Sequence, residues 1–390
     1  MVLKVTFVSN YINHHQIPFS NCMYEMLGDK YTFIQTAPME KERIKMGWGL
    51  DENKIEYVKN SYESNKTFQE CMDIIDESDV VIIGSASRIF IKNRLKNNKL
   101  TFIYSERIFK TGLKKLINPY YLFRYIQSYL IPNMKTNTFA LCASAYAAYD
   151  FSRIGAFEGR TYKWGYFPKY VEYDIDTLLK KKENKVIRML WVGRFLKLKC
   201  AEDAIITAKK LINSGYDFTF DIIGDGPEKS DLIQLANESG LDDKINFLGL
   251  MPPEKVREYM EHANIFLFTS NFYEGWGAVL NEAMNSGCAV VASHSIGSAP
   301  FLIENCKNGY MYRYGDLNDM YFKVENLIKN KKLQLELGLN AYGTISSEWN
   351  EKVAAERFLE LASCLMKKDD CELFDTGPCS KASVIKNNWF

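Results

Sequence analysis

The sequence predicts an α/β protein of two doubly wound domains facing a central cleft, and three observations predict it. Apolar runs of about five residues alternate with amphipathic stretches of ten or more, the pattern of parallel strands joined by crossover helices. The alternation runs through two cycles, parted by the polar run Lys180-Lys181-Lys182-Glu183-Asn184-Lys185. A chain of 390 residues is also too long for one ordinary core.

In the first cycle the spacing predicts strands over residues 2–9, 31–35, 80–84, 101–104, 139–143 and 164–167. In the second it predicts strands over 187–192, 218–223, 245–247, 265–269, 289–292 and 309–312, with helices over 201–213, 228–238 and 254–262 among them. The lysine-rich run reads as a hinge. It leaves an N-terminal domain over 1–180 and a C-terminal domain over 186–370. Residues 371–390 form a tail whose Trp389-Phe390 end is too apolar to be freely solvated, so it is expected to dock back on the N-terminal domain. Open parallel sheets bind ligands at the carboxyl ends of their strands, which makes the cleft the expected site.

Composition narrows the partners. A formal net charge of +1 gives no polyelectrolyte character and argues against nucleic acid. The apolar runs are far short of a bilayer span, and Met1-Val2-Leu3-Lys4-Val5 reads as a strand, not as a signal peptide. Nine cysteines with no C-x-x-C pair predict reduced thiols and a cytoplasmic protein. Four dispersed histidines do not make a metal site; His14 and His15 are adjacent, and adjacent side chains usually diverge.

The charge is unevenly spread. Residues 1–170 carry 23 Lys+Arg against 16 Asp+Glu, and within 80–149 there are eleven basic residues and one acid, Glu106. Aromatic and aliphatic residues are interleaved there, in Leu113-Lys114-Lys115-Leu116-Ile117 and Tyr120-Tyr121-Leu122-Phe123-Arg124-Tyr125-Ile126. Two readings fit: a surface that meets anionic lipid at the inner face of a plasma membrane, or an amphipathic helix packed on its own domain.

The chemistry-bearing residues cluster in the second cycle. The strand over 187–192 runs into Gly193-Arg194, and Lys199 follows five residues later. A glycine there allows a tight turn, and two cations at the cleft suit a diphosphate; surface cations in a loop are the plainer reading. Gly224-Asp225-Gly226-Pro227 reads as a tight strand-to-helix turn, since the third glycine of a dinucleotide fingerprint is missing. Phe247 and Leu248, ending the next strand, offer either an apolar slot for a base or plain core. The run Glu274-Gly275-Trp276-Gly277-Ala278-Val279-Leu280-Asn281-Glu282 turns into a helix whose first amides are left open by glycine, an anion-binding arrangement. At ~1.5 Å of rise per residue Glu274 and Glu282 stand about 12 Å apart. One carboxylate could hold sugar hydroxyls and the other ribose hydroxyls, with amides for phosphate between them, a layout that matches a nucleotide-sugar.

In that order and spacing, Gly193-Arg194…Lys199, Gly224-Asp225-Gly226-Pro227 and Glu274-x7-Glu282 resemble the donor half of GT-B glycosyltransferases, specifically the retaining family 4 enzymes, over residues 186–365. The resemblance implies two Rossmann-like domains, the first on the acceptor side and the second on the donor side. It implies a metal-independent, retaining transfer from a UDP- or GDP-sugar, with no cofactor, to an acceptor hydroxyl, and the basic, aromatic N-terminal half suggests that a glycan or lipid-linked glycan carries that hydroxyl. Bacterial capsule, exopolysaccharide or lipopolysaccharide assembly is the expected setting. Arg194 and Lys199 would bind the diphosphate, Glu274 the transferred sugar and Glu282 the ribose. Gly193, Gly224, Phe247, Leu248, Gly277, Ala278 and Val279 would line the donor. On the acceptor side the family's glycine-rich first loop is replaced by Ser9-Asn10-Tyr11-Ile12-Asn13-His14-His15-Gln16, and its histidine by Ser105-Glu106-Arg107. His14, His15 and Glu106 are therefore the acceptor-side candidates, against a solvated loop and a local Glu–Arg pair.

Other motifs are weaker. Asp174-Ile175-Asp176 has the form of a metal-binding D-x-D, but its position suits a linker or a helix N-cap at Asp176. There is no G-x-S-x-G and no H-E-x-x-H. His294, between Ser293 and Ser295, is expected to support the donor loop without reacting. An epimerase or phosphorylase on the same scaffold, or a nucleotide-sugar-binding subunit without activity, are the competing functions.

Overall fold

The computed structural model describes residues 2–40, 55–110, 112, 117–367 and 371–386. These fall into two units: the described residues up to Lys169 together with those from Asn350 onward, and Tyr170–Trp349.

The first unit is built on a parallel sheet of seven strands: β1 (Val5–Ser9), β2 (Tyr31–Gln35), β3 (Val58–Asn60), β4 (Val80–Ile83), β5 (Thr101–Ser105), β6 (Thr138–Cys142) and β7 (Thr161–Lys163). They lie in the order β3-β2-β1-β4-β5-β6-β7. The central strands are buried along their length, which is why they read as unbroken apolar runs. The last strand is Thr161–Lys163 and not 164–167. Trp164 and Phe167 are buried by aromatic packing on Phe19, at 5.2 and 6.2 Å between ring centroids, not by strand pairing.

The second unit repeats the plan with six strands: β8 (Ile187–Val192), β9 (Phe218–Ile223), β10 (Ile245–Gly249), β11 (Ile265–Phe268), β12 (Ala289–Ser293) and β13 (Tyr310–Tyr312). The order is β10-β9-β8-β11-β12-β13, all parallel. Its core joins Met189, Trp191, Phe220, Ile222, Leu267 and Val291 to the apolar faces of the Ala201–Asn213 and Leu317–Lys329 helices.

The chain leaves the first unit at Lys169–Tyr170 and returns at Trp349–Asn350. The expected hinge at 180–185 is instead fastened inside the second unit. Lys182 is buried, its Nζ donating to the carbonyls of Met260 (3.0 Å) and Ala263 (2.8 Å), and Asn184 Nδ2 donates to His262 O. The Glu351–Lys367 helix belongs to the first unit because its buried face meets that unit's aromatics: Phe358 lies 5.1 Å from Phe102 and 5.9 Å from Trp164. Beyond it the chain runs along β7. Cys379 N–H donates to Lys163 O, Lys163 N–H to Ser380 O and Ala382 N–H to Thr161 O, so the outer edge of the sheet is partly paired. Trp389-Phe390 lies outside the described residues.

Two sequence expectations are corrected. Cys364 and Cys371 form a disulfide across seven residues, so the cysteines are not all reduced; the other seven are free. Cys364 lies in the Glu351–Lys367 helix, and the two Cα atoms stand 5.9 Å apart, within disulfide reach. Asp174, not Asp176, caps the Ile175–Lys181 helix, its carboxylate accepting from the N–H and hydroxyl of Thr177 at 2.9 and 2.6 Å. No helix of the described residues is long and apolar enough to cross a membrane.

Candidate functional site

In the second unit the strand order reverses direction at β8, between β9 and β11, and this switch point is where an open parallel sheet leaves a crevice beyond its strand ends. The loops that follow β8 and β11 carry the predicted residues. Gly193 continues β8, its N–H donating to Ile223 O at 3.0 Å. Arg194 comes next and is exposed, with no ion-pair partner among the described residues. The loop then closes through a 3-10 turn, Lys197–Lys199, into the Ala201–Asn213 helix.

Two hydrogen bonds fasten this loop to the one after β11. Thr269 Oγ1 donates to Lys199 O at 2.7 Å, and Asn271 N–H to Leu198 O at 2.9 Å. Trp191 Nε1 donates to Thr269 Oγ1 in turn, so the buried indole fixes the hydroxyl. The result is that Lys199 and Glu274, 75 residues apart, form an ion pair. Their side chains are 14% and 13% exposed. Ser270 Oγ donates to the same Glu274 oxygen at 2.9 Å, and Lys199 Nζ lies 5.8 Å from the centre of the Phe268 ring.

The chain after Glu274 is held by packing. Trp276 is buried, its Nε1 donating to Asn281 Oδ1 at 2.8 Å and its ring 5.8 Å from Trp349. Gly277 has φ +84°, and a Cβ there would lie 2.6 Å from the Phe268 ring. Only glycine fits both constraints. Ala278 then caps a short helix, Val279–Asn285, whose first amides have no acceptor within the helix. Glu282 sits in that first turn; burial raises its carboxyl above the ordinary range, opposed by the charge of Arg257. Arg257 Nη1 donates to Asn285 Oδ1 at 2.9 Å, which places the cation beside the helix.

The turn after β9 touches the same place. Gly224 N–H donates to Gly249 O, and a Cβ on Gly224 would lie 1.8 Å from Gly193 O, so the two strand ends meet backbone to backbone. Phe247 and Leu248 are half-buried, Phe247 edge-on to Phe195 at 6.3 Å. The structure thus joins Gly193, Gly224, Phe247 and Leu248 at one set of strand ends, and Lys199, Glu274 and Gly277 at the adjoining set. Sequence reasoning missed Ser270 and Arg257. A hydroxyl four residues before Glu274, directly after a strand, was a readable signal for the first.

His294 is buried. Its N–H donates to Tyr312 O at 2.9 Å and its Nδ1 accepts from Tyr314 N–H at 3.0 Å, while burial pushes its imidazole down to about 4. It stays neutral and holds the strand end at Tyr312–Tyr314. The link to Glu274 comes from Ser295, whose hydroxyl pairs with Ser293 Oγ (2.7 Å) and donates to Ser270 O (3.2 Å).

In the first unit the switch point lies at β1, and the loop after β1 carries His14 and His15. Their rings do not diverge. Asn13 closes a turn, its side chain accepting His15 N–H at 3.0 Å and its carbonyl accepting Gln16 N–H at 2.8 Å, and the ring centroids come to 3.8 Å. His15 stacks on Tyr166 at 5.6 Å, and burial, then His14, lower its pKa well below the ordinary value. Tyr166 donates to Glu106, whose other oxygen accepts from Lys110 at 2.8 Å. The competing reading, a local Glu106–Arg107 pair, does not hold, because Arg107 is turned to the buried carboxylate of Asp150. His15 and Glu106 are therefore brought together through Tyr166, a residue sequence reasoning did not select. Among the described residues there is no cluster of three or more His, Cys, Asp or Glu arranged to hold a metal ion, and Asp174 is occupied as a cap.

Comparison with known proteins agrees with this geometry. Residues 174–344 match the family model described as glycosyl transferases group 1. The N-acetyl-alpha-D-glucosaminyl L-malate synthase of Bacillus anthracis is 26% identical over 191 residues, covering 48% of this chain and 49% of that protein. The amylovoran biosynthesis glycosyltransferase AmsK of Erwinia amylovora is 28% identical over 183 residues, 46% and 45% of the two chains. The chain thus spans about half the length of the curated relatives it matches. The solved structure of Anabaena HepE in complex with UDP superposes with a TM-score of 0.68 over 93% of this chain and 100% of that one, at 14% identity. That likeness shows the fold, which is GT-B.

Proposed function

Because residues 174–344 are a glycosyl transferases group 1 domain, we propose that the protein is a glycosyltransferase moving a sugar from a UDP- or GDP-sugar to an acceptor hydroxyl with retention of configuration. The observation that carries this reading is the Lys199–Glu274 pair set between Arg194 and the Gly277 turn at the strand ends of β8 and β11. That layout supplies cations and open amides for a departing diphosphate and a carboxylate for sugar hydroxyls. HepE was solved with UDP, which supports a uridine donor here.

As the bond to the diphosphate breaks, negative charge builds on the leaving oxygen and oxocarbenium character on the sugar. Arg194, Lys199 and the amides at Ala278 and Val279 stabilise the first. Glu274 holds the sugar and, once donor phosphate draws Lys199 toward itself, faces the ring as an anion. The leaving phosphate oxygen accepts the acceptor's proton on the same face, so no separate base is needed. Glu282 takes the ribose hydroxyls and Phe247–Leu248 the base. His15, Tyr166 and Glu106 line the acceptor side, with His14 beside them. The named role of AmsK in amylovoran biosynthesis supports a glycan or lipid-linked glycan acceptor in bacterial surface-polysaccharide assembly.

The test is donor turnover with and without a glycan acceptor, followed by NMR of the product's anomeric centre. Acceptor-dependent release of nucleoside diphosphate with a retained linkage is expected. Interconversion of the donor without acceptor, a requirement for inorganic phosphate, or an inverted linkage would each overturn the reading.

A further inference from the structure

The first unit carries an unusual concentration of exposed apolar side chains. Of the nineteen large ones exposed among the described residues, seven fall between residues 117 and 134, including Ile117 at 84%, Phe123 at 58% and Met134 at 79%. The chain there is helical from Pro119 to Asn133. It is anchored from one side only. Tyr125 packs on Phe109 at 5.2 Å, Tyr129 on Phe151 at 5.4 Å, and Leu130 lies against the core, while Arg88 Nε donates to Ser128 O. The opposite side, with Tyr120, Leu122 and Phe123, is left to solvent.

Charge says what meets it. From Arg107 to Tyr149 the sequence has no Asp or Glu. Arg124 is exposed among the apolar side chains, its guanidinium 5.8 Å from the Tyr120 ring. A second copy of the chain is a poor occupant: Arg124 is the one cation of residues 117–134, and a two-fold contact through this face would bring it no carboxylate from the same stretch. An anionic bilayer offers apolar depth and phosphate together. Tyrosine and arginine at the rim of an apolar helix face are what the interface between headgroups and acyl chains favours.

We propose that residues 117–134 form a docking surface for an anionic phospholipid bilayer, with Phe123 entering the headgroup region and Arg124 meeting lipid phosphate. The surface is distinct from the donor-side residues, and its occupancy is read without donor or acceptor.

Flotation of the full chain with phosphatidylcholine vesicles, and with mixed phosphatidylcholine–phosphatidylglycerol vesicles, tests it. Binding to the mixed vesicles is expected, weakening as salt is raised. Phe123→Ser lowers the partition coefficient by roughly tenfold or more. Arg124→Gln lowers it about fivefold on the mixed vesicles. Both side chains are exposed, so unchanged thermal melting of the variants separates lost docking from lost fold. No binding to either vesicle, equal binding by wild type and both variants, or a concentration-dependent dimer that Phe123→Ser abolishes would overturn the proposal.

Discussion

Lys199 and Glu274 pair with each other, although each is a candidate to bind a different part of one ligand. The ammonium neutralises the carboxylate, and the Ser270 hydroxyl donates to the same oxygen. A phosphate arriving at Lys199 would therefore compete with Glu274 for the cation and release the carboxylate toward the sugar. On the proposed function, the pair would couple diphosphate binding to sugar binding.

Breaking the pair from one side leaves a charge with little access to water. Lys199→Ala is expected to lower the unfolding free energy by about 3 kcal/mol, and the Lys199→Ala/Glu274→Gln double variant to recover part of that loss. Denaturant melts of the single and double variants measure the coupling. Additive losses would mean that the two side chains do not interact.

Gly277 combines a positive φ with the Phe268 ring at van der Waals distance or closer to any added carbon. Gly277→Ala is expected to cost at least about 1–2 kcal/mol and to displace the start of the Val279–Asn285 helix. Thermal unfolding together with donor binding checks both effects. A variant with wild-type melting and binding would show that this turn is not constrained.

The parallel strands were legible because burial on both faces writes them as apolar runs. Residues 187–192 and 218–223 were located to the residue although Arg188, Thr219 and Asp221 interrupt their apolar runs. Val58–Asn60 was missed because its three residues are half-buried or exposed, and the β7 segment was displaced by apolar residues that are buried through aromatic packing. The order of Arg194, Lys199, Glu274 and Glu282 along the chain was readable, whereas the pairing of Lys199 with Glu274 depends on loop-to-loop hydrogen bonds that no local pattern records. The same holds for Tyr166 between His15 and Glu106. The Cys364–Cys371 disulfide has no framework spacing to announce it, and the return of the Glu351–Lys367 helix to the first unit depends on which aromatics Phe358 meets.

His294 sets a pH dependence. Its folded pKa, about 4, lies below the ordinary 6.5 because the ring is buried, with Arg313 adding to the effect. Between those values the unfolded chain binds the extra proton, so His294's contribution is complete above about pH 6.5 and is lost as pH falls toward 4. The lost stability is on the order of 2 kcal/mol after allowance for solvent screening. Asp203, raised to about 6 by burial and then by Glu202, titrates with the opposite sign. It does so in wild type and variant alike, and cancels in their difference. His294→Gln removes this contribution, so the wild-type-minus-variant stability is expected to shrink as pH falls from about 6.5 toward 4; a difference that does not change with pH would contradict the assignment.

The central claim is that Arg194, Lys199 and Glu274 grip an activated sugar through its diphosphate and its hydroxyls. A crystal structure with a non-hydrolysable UDP-sugar tests it most directly. The account predicts the diphosphate within hydrogen-bond distance of Arg194, Lys199 and the amides at Ala278–Val279, with Glu274 released from Lys199 onto the sugar. A diphosphate bound away from these residues, with the Lys199–Glu274 pair undisturbed, would contradict it.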